Sequence, residues 1–270
     1  MDLTTLLVLL FSGCVTGFLA GLFGVGGGVV LVPILLLVFT ATLNVSSLVA
    51  THLTFGTSLF VVAFASLSSA YEYYKNGYVV SKAVLAIGIA SIIAAFAGAT
   101  LAASLQGNVL QGIFAIVVAG AAFRLLVEPE LSRPEANMTL ATGPMVLIGV
   151  VAGLVSSLAG VGGGVFSIPM MYYLLRFPVK KALGSSSAAI VLTSLVATVG
   201  YVVNGLGNPD LERYPFVLGF VDYLHAIPVI VGTIPLAKLG ARVAHRMKSD
   251  RLRKLFAVFL FVVAVKMFFT

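Results

Sequence analysis

The stretch Gly24-Val25-Gly26-Gly27-Gly28, closed by Pro33, recurs 136 residues later as Gly160-Val161-Gly162-Gly163-Gly164, closed by Pro169. Aligned without gaps, residues 13–33 and 149–169 share 11 identities in 21 positions, Gly13/Gly149 and Gly17/Gly153 among them. Both copies interrupt long apolar runs, where glycine is a poor helix former and lets the backbone turn. A chain that breaks an apolar segment at matching places in its two halves is built from repeats. Its broken helices mark the place where a ligand would bind.

Sixty per cent of the residues are apolar and 9% are charged. Soluble domains carry roughly 25% charged residues, so this chain cannot cover itself with polar surface in water. The apolar runs have helical length and do not alternate, which points to an all-α, polytopic bundle in a lipid bilayer and away from a barrel. The first run starts at Leu3 with only Asp2 before it and contains the first glycine motif. It reads as a membrane segment rather than a cleaved signal peptide. Cys14 is the one cysteine, and His52, His225 and His245 lie far apart, so no metal site or cofactor is expected. The formal charge of +7 is concentrated: Lys238 to Lys254 holds seven Lys/Arg against Asp250. A basic cluster between two apolar segments signals topology and gives no reason to expect nucleic acid.

Apolar runs divide the chain into five segments per half, at about 3–23, 28–42, 45–71, 79–104 and 108–127, then about 139–159, 164–176, 180–204, 217–243 and 251–270. The first repeat is expected over 1–127, a polar linker over 128–138 and the second repeat over 139–270. The second segment of each half is shorter than the ~20 residues that span a bilayer comfortably. Charge relates the halves. The loops at Thr40–Asn44 and Gln106–Asn108 carry none, whereas their counterparts carry Arg176, Lys180 and Lys181 and then the basic cluster. Since Lys and Arg collect in cytoplasmic loops, equivalent loops should lie on opposite faces. That requires inverted repeats of five crossings, with both termini outside the cell membrane.

The pattern Gly-x-x-Gly-Val-Gly-Gly-Gly-Val-x-x-x-Pro at 21–33, its match at 157–169 with Ser157 in the first glycine's place, and Ala182-Leu183-Gly184-Ser185-Ser186-Ser187 after Pro178 resemble the signature of the sulfite exporter TauE/SafE family. Val49-Ala50-Thr51-His52 is the expected first-half counterpart of the serine motif. The resemblance covers nearly the whole chain and implies a permease for sulfur-containing anions such as sulfite or organosulfonates.

The residues themselves support an anion site. A helix that restarts after three glycines presents unpaired N–H groups and a partial positive charge. Two such ends could hold one small anion, which puts Gly26, Gly27, Gly28, Gly162, Gly163 and Gly164 in the candidate site. Thr51, His52, Ser185 and Ser186 open the third segment of each half and add donors; an imidazolium at His52 would suit an anion. The bland alternatives are close helix packing for the glycines, caps or interhelical bonds for the hydroxyls, and a neutral core histidine. Gly13, Gly17 and Gly21, at four-residue spacing, are expected to serve packing. Every Asp and Glu falls at a segment end or in a loop, so no carboxylate is expected inside the bundle. No Ser/His/Asp set or paired carboxylates sit within the apolar runs, so an enzyme is not expected. The reading is a secondary transporter, with an exporter as its direction, and an uncoupled anion channel or an importer of another small anion as alternatives. A homo-oligomer is left open.

Overall fold

The computed structural model describes residues 2–43, 45–127, 138–212, 214–248, 251, 254, 255 and 258. Among the described residues there are nine helices: α1 (Leu3–Phe23), α2 (Gly28–Thr42), α3 (Ser47–Lys75), α4 (Ser81–Ser104), α5 (Gly107–Val127), α6 (Thr142–Ala159), α7 (Gly164–Leu174), α8 (Val179–Gly205) and α9 (Tyr223–Arg246). Before α9 stands a small antiparallel hairpin of β1 (Val217–Leu218) and β2 (Val221–Asp222). Six of the helices are long and apolar enough to cross a membrane. The chain is thus an all-α, polytopic membrane protein. The expected tenth segment falls largely outside the described residues.

Both glycine motifs break the chain as expected. Gly24 ends α1 in the left-handed region at φ 65°, its N–H donating to the Ala20 carbonyl at 2.9 Å, and Gly160 ends α6 at φ 67°. Gly26 and Gly27 continue at φ 80° and 86°, Gly162 and Gly163 at 84° and 81°. A left-handed backbone costs an ordinary L-residue roughly 1–2 kcal/mol per position, so glycine is the fitting residue for this run. The restarted helices are short, 15 residues in α2 and 11 in α7.

Small residues bring the helices close, and they do so across the repeats. Gly13, Gly17 and Gly21 of α1 seat the backbone of Val229, Thr233 and Ala237 of α9, where a Cβ would clash with each carbonyl. Gly149 and Gly153 of α6 seat Ile87 and Ser91 of α4 in the same way. Ser157, in the place of Gly21, donates its hydroxyl to the Ala95 carbonyl at 2.7 Å. The helix-packing reading of Gly13, Gly17 and Gly21 therefore describes their contacts. Each repeat's first helix lies on the other repeat's fourth, so the two repeats interlock.

At the centre, α3 and α8 cross each other. Gly56 of α3 packs against Tyr201, while Gly184 of α8 packs against Tyr73, so the two helices run antiparallel. Two buried tyrosines tie this centre to the glycine helices. The Tyr73 hydroxyl donates to the Gly21 carbonyl at 3.0 Å and the Tyr201 hydroxyl to the Ser157 carbonyl at 2.8 Å.

The absence of buried carboxylates expected from sequence is corrected. Glu72 and Asp222 are 7% and 2% exposed. Both stand at helix ends, as their sequence positions indicate, but these ends are covered by neighbouring helices. Glu72 accepts from Arg242 Nε at 2.9 Å.

Candidate functional site: the two glycine breaks

The breaks lie against each other. A Cβ at Gly28 would come within 2.6 Å of the Gly160 oxygen and of Val161 Cα, and one at Gly164 within 2.6 Å of Val25 Cα. Thus the start of each short helix rests on the other repeat's loop. The first bonds of α2 run from Val30 and Leu31 N–H to the Gly27 carbonyl at 3.1 and 3.2 Å. Those of α7 run from Phe166 and Ser167 to Gly163 at 3.1 and 3.0 Å. The amides of Gly28 and Val29, and of Gly164 and Val165, precede these bonds and are the orphan donors of two helix N-termini. Two partial positive charges therefore meet at mid-bundle.

Val62 of α3 and Ile190 of α8 fill the space between the breaks. Cβ atoms at Gly26 and Gly162 would each lie 2.6 Å from Val62 Cγ1, and 3.3 and 3.0 Å from Ile190 Cγ2. Hydroxyls ring the same place. Ser58 donates to the Gly160 carbonyl at 2.9 Å, and Ser186 shares a 2.8 Å hydrogen bond with Ser167 of α7. Ser66 Oγ stands 3.0 Å from where a Gly26 Cβ would be, and Thr16 backs Gly27. The hydroxyls of Thr16 and Ser66 are fully buried with no partner among the described residues. A buried hydroxyl without a partner loses roughly 1–3 kcal/mol, so these two spare donors beside the first break call for an acceptor.

The expected site residues divide into two groups. The six glycines and Ser186 come together here, and Ser185 is close by in α8, where its Oγ accepts from Val80 N–H at 3.0 Å. Thr51 and His52 do not join them. Ten residues of helix, roughly 15 Å, separate His52 from Val62. Both imidazole nitrogens face backbone carbonyls, Nδ1 at 2.8 Å from Leu48 O and Nε2 at 2.9 Å from Ala102 O, and the ring stacks on Phe220. Thr51 Oγ1 accepts from Gln111 Nε2 at 3.0 Å.

The geometry also moves the first-half counterpart of the serine motif, expected at Val49–His52. Gly160 packs on Phe55 as Gly24 packs on Leu183, and Gly56 and Gly184 make matching contacts with Tyr201 and Tyr73. Asp222 N–H donates to Thr57 Oγ1 at 2.9 Å, as Val80 N–H does to Ser185. Phe55-Gly56-Thr57-Ser58 is therefore equivalent to Leu183-Gly184-Ser185-Ser186, and Thr57, Ser58 and Ser66 are the residues that sequence reasoning missed. The cause lies in two added helical turns. The extra four residues of α2 over α7, and the extra turn at the start of α3 over α8, make the helix starts misleading guides to register. The pair Gly56-x-Ser58 and Gly184-x-Ser186 was the signal available in the sequence.

Interlocked repeats joined at broken helices define a multi-pass membrane protein of internal-repeat architecture. The sulfite exporter TauE/SafE family profile matches residues 9–267, and the chain belongs to that family. It is 33% identical over 267 residues to a probable membrane transporter protein of Haemophilus influenzae, covering 98% of both chains. It is 29% identical to one from Methanocaldococcus jannaschii, covering 96% of this chain and 94% of the relative. The Bacillus subtilis protein YdhB, also a probable membrane transporter, is 27% identical, with 94% of each covered. No solved structure matches the chain.

Proposed function

We propose that the protein is a secondary transporter of small sulfur-containing anions, sulfite or organosulfonates, and that it exports them across the cell membrane. One anion is held where the two glycine breaks meet. The observation that carries this reading is the meeting of two helix N-termini with buried, unpartnered hydroxyls at Thr16 and Ser66. Hydrogen bonds to a charged group are worth about 1.5–3 kcal/mol each. Amides and hydroxyls can thus replace the hydration of an oxyanion without the permanent charge that would trap it.

Binding here requires Val62 and Ile190 to move aside. The repeats supply that movement by rocking, opening the site first to one face and then to the other. Inversion of the repeats is part of this reading, and the antiparallel run of the equivalent helices α3 and α8 supports it. The ends of α1, α2 and α9 that gather at Asp2, Thr42 and Asp222 would then face outward, opposite Lys238, Arg242 and Arg246. The family's name and the transporter names of the relatives favour transport over enzymatic turnover.

The test is a binding screen of purified protein against sulfite, thiosulfate, methanesulfonate and taurine, with acetate and lactate as controls, read as thermal stabilisation. A ligand at a hundred times its Kd stabilises by about 2.7 kcal/mol. Stabilisation by sulfur oxyanions alone is expected; equal response to the carboxylates, or none at all, would overturn the substrate assignment. Counterflow in proteoliposomes then separates carrier from channel, because a carrier accelerates uptake when loaded on the far side and an open pore does not.

A further inference from the structure

The two repeats differ most where one of them has been extended. The connection into α4 covers 76–80, whereas the connection into α9 covers 206–222 and includes the hairpin. Together with the extra turn of α2, this extension borders a partly open pocket of about 260 Å³ whose lining includes Asp2, Thr5, Thr42, Tyr214, Asp222 and His225. Inside it Asp222 Oδ2 and His225 Nδ1 lie 2.7 Å apart, with side chains 3% and 7% exposed. The other Asp222 oxygen accepts the His225 N–H at 3.0 Å and caps α9.

Asp222 is also joined to the anion site. Its N–H bonds Thr57 Oγ1, and Thr57 lies five residues, roughly 8 Å of helix, from Val62. The equivalent link in the other repeat is made by Val80, which has no charge to offer. A buried acid–base pair has therefore been added to one of two otherwise matching links.

We propose that the Asp222–His225 pair is a proton-binding site whose occupancy is coupled to the anion; the proposal rests on the transport reading above. His225 Nδ1 donates to the carboxylate, which leaves Nε2 as the nitrogen that gains and loses the proton. With that proton the pair is neutral overall, and without it the pair carries one negative charge. An anion between the glycine breaks is repelled by the second state and not by the first. Proton and anion therefore bind cooperatively, and each tightens the other by the same factor.

Other groups line the pocket beside the pair or touch it. From α2 come the Phe39 ring and Thr42, and from α3 Thr57. The connection contributes Tyr214, and α1 contributes Asp2. Hydrogen bonding to Thr5 holds the Asp2 carboxyl below its ordinary range.

The test measures the affinity of wild type, Asp222→Asn and His225→Gln for methanesulfonate and thiosulfate between about pH 5 and 8, where histidine changes charge. Both probes keep a constant charge in that range. Wild type should bind up to about thirtyfold more tightly at the acid end, the ceiling set by a unit-charge interaction over roughly 8 Å at an effective dielectric near 20. Asp222→Asn, which keeps a capping acceptor, should bind at the alkaline end as wild type does in acid, because the pair is then neutral. His225→Gln should bind weakly at every pH. A structural pair would give both variants the same defect, so the opposite signs are diagnostic. Should either variant fail to fold, the other still decides, because Asp222→Asn departs from wild type at the alkaline end and His225→Gln at the acid end. Wild-type affinity that ignores pH, or a pH dependence that survives in His225→Gln, overturns the proton site alone. Wild type that binds neither probe overturns the anion reading and this inference with it.

Discussion

Tyr73 and Tyr201 hold equivalent places in the two repeats and make the same bond, each to a carbonyl in the last turn before a glycine break. Val80 and Asp222 also hold equivalent places, yet one offers only its N–H while the other adds a buried carboxylate paired with His225. The centre of the bundle is duplicated and its outer end is not. A ligand held between two copies of one motif meets the same glycine backbone from either side, and that backbone has no built-in direction. Direction and coupling have to come from groups that only one repeat carries.

The largest test of the duplicated centre is Gly27→Leu set beside Gly163→Leu. Each residue sits at φ above 80°, with the α1 or α6 backbone behind it: a Cβ would lie 2.9 Å from Thr16 O at Gly27 and 2.7 Å from Ala152 O at Gly163. Both substitutions should abolish transport, the backbone term alone costing about 1–2 kcal/mol. A variant that transports normally would remove its break from the site. Folding is checked by monodispersity, since a packing defect would aggregate.

Inversion is tested at another equivalent pair. Asn76 and Leu206 are the exposed residues that follow α3 and α8. Cysteines placed there singly in a Cys14→Ser background should be labelled by an impermeant thiol reagent from opposite faces. Labelling from the same face would contradict inverted repeats.

Smaller effects should be matched as well. Tyr73→Phe and Tyr201→Phe each leave a buried carbonyl without its partner, which costs roughly 1–3 kcal/mol. Denaturation should show similar losses for the two, and a loss in only one would mean that the repeats do not share their load. The smallest expected effect is at His52. His52→Gln exchanges the imidazole hydrogen bond for one from a flexible amide and gives up the Phe220 ring contact, so about 0.5–1.5 kcal/mol of stability should go, with anion affinity unchanged. Weakened binding would return His52 to the site.

The centre was readable because consecutive glycines break a helix and the break occurs twice: the breaks and the short second helices follow from it, and the four-residue spacing of Gly13, Gly17 and Gly21 marks the packing stripe. Register in α3 was not readable in the same way. Added turns in α2 and α3 carry no punctuation, so aligning helix starts set His52 opposite the serine motif, whereas the fold sets Ser58 there. Burial of Asp222 was hidden for a different reason. A carboxylate at a helix end looks solvated in one dimension, and only the hairpin and α2, folded over it, remove it from water.

The central claim, that one anion is shared by the two breaks, is tested most directly by an experimental structure with bound 2-bromoethanesulfonate, whose bromine can be located by its anomalous signal. The account predicts one sulfonate per chain, within hydrogen-bonding distance of amides in both 26–29 and 162–165, with Val62 and Ile190 displaced. A sulfonate touching only one break, or seated beside His52 or in the Asp222 cavity, would contradict it.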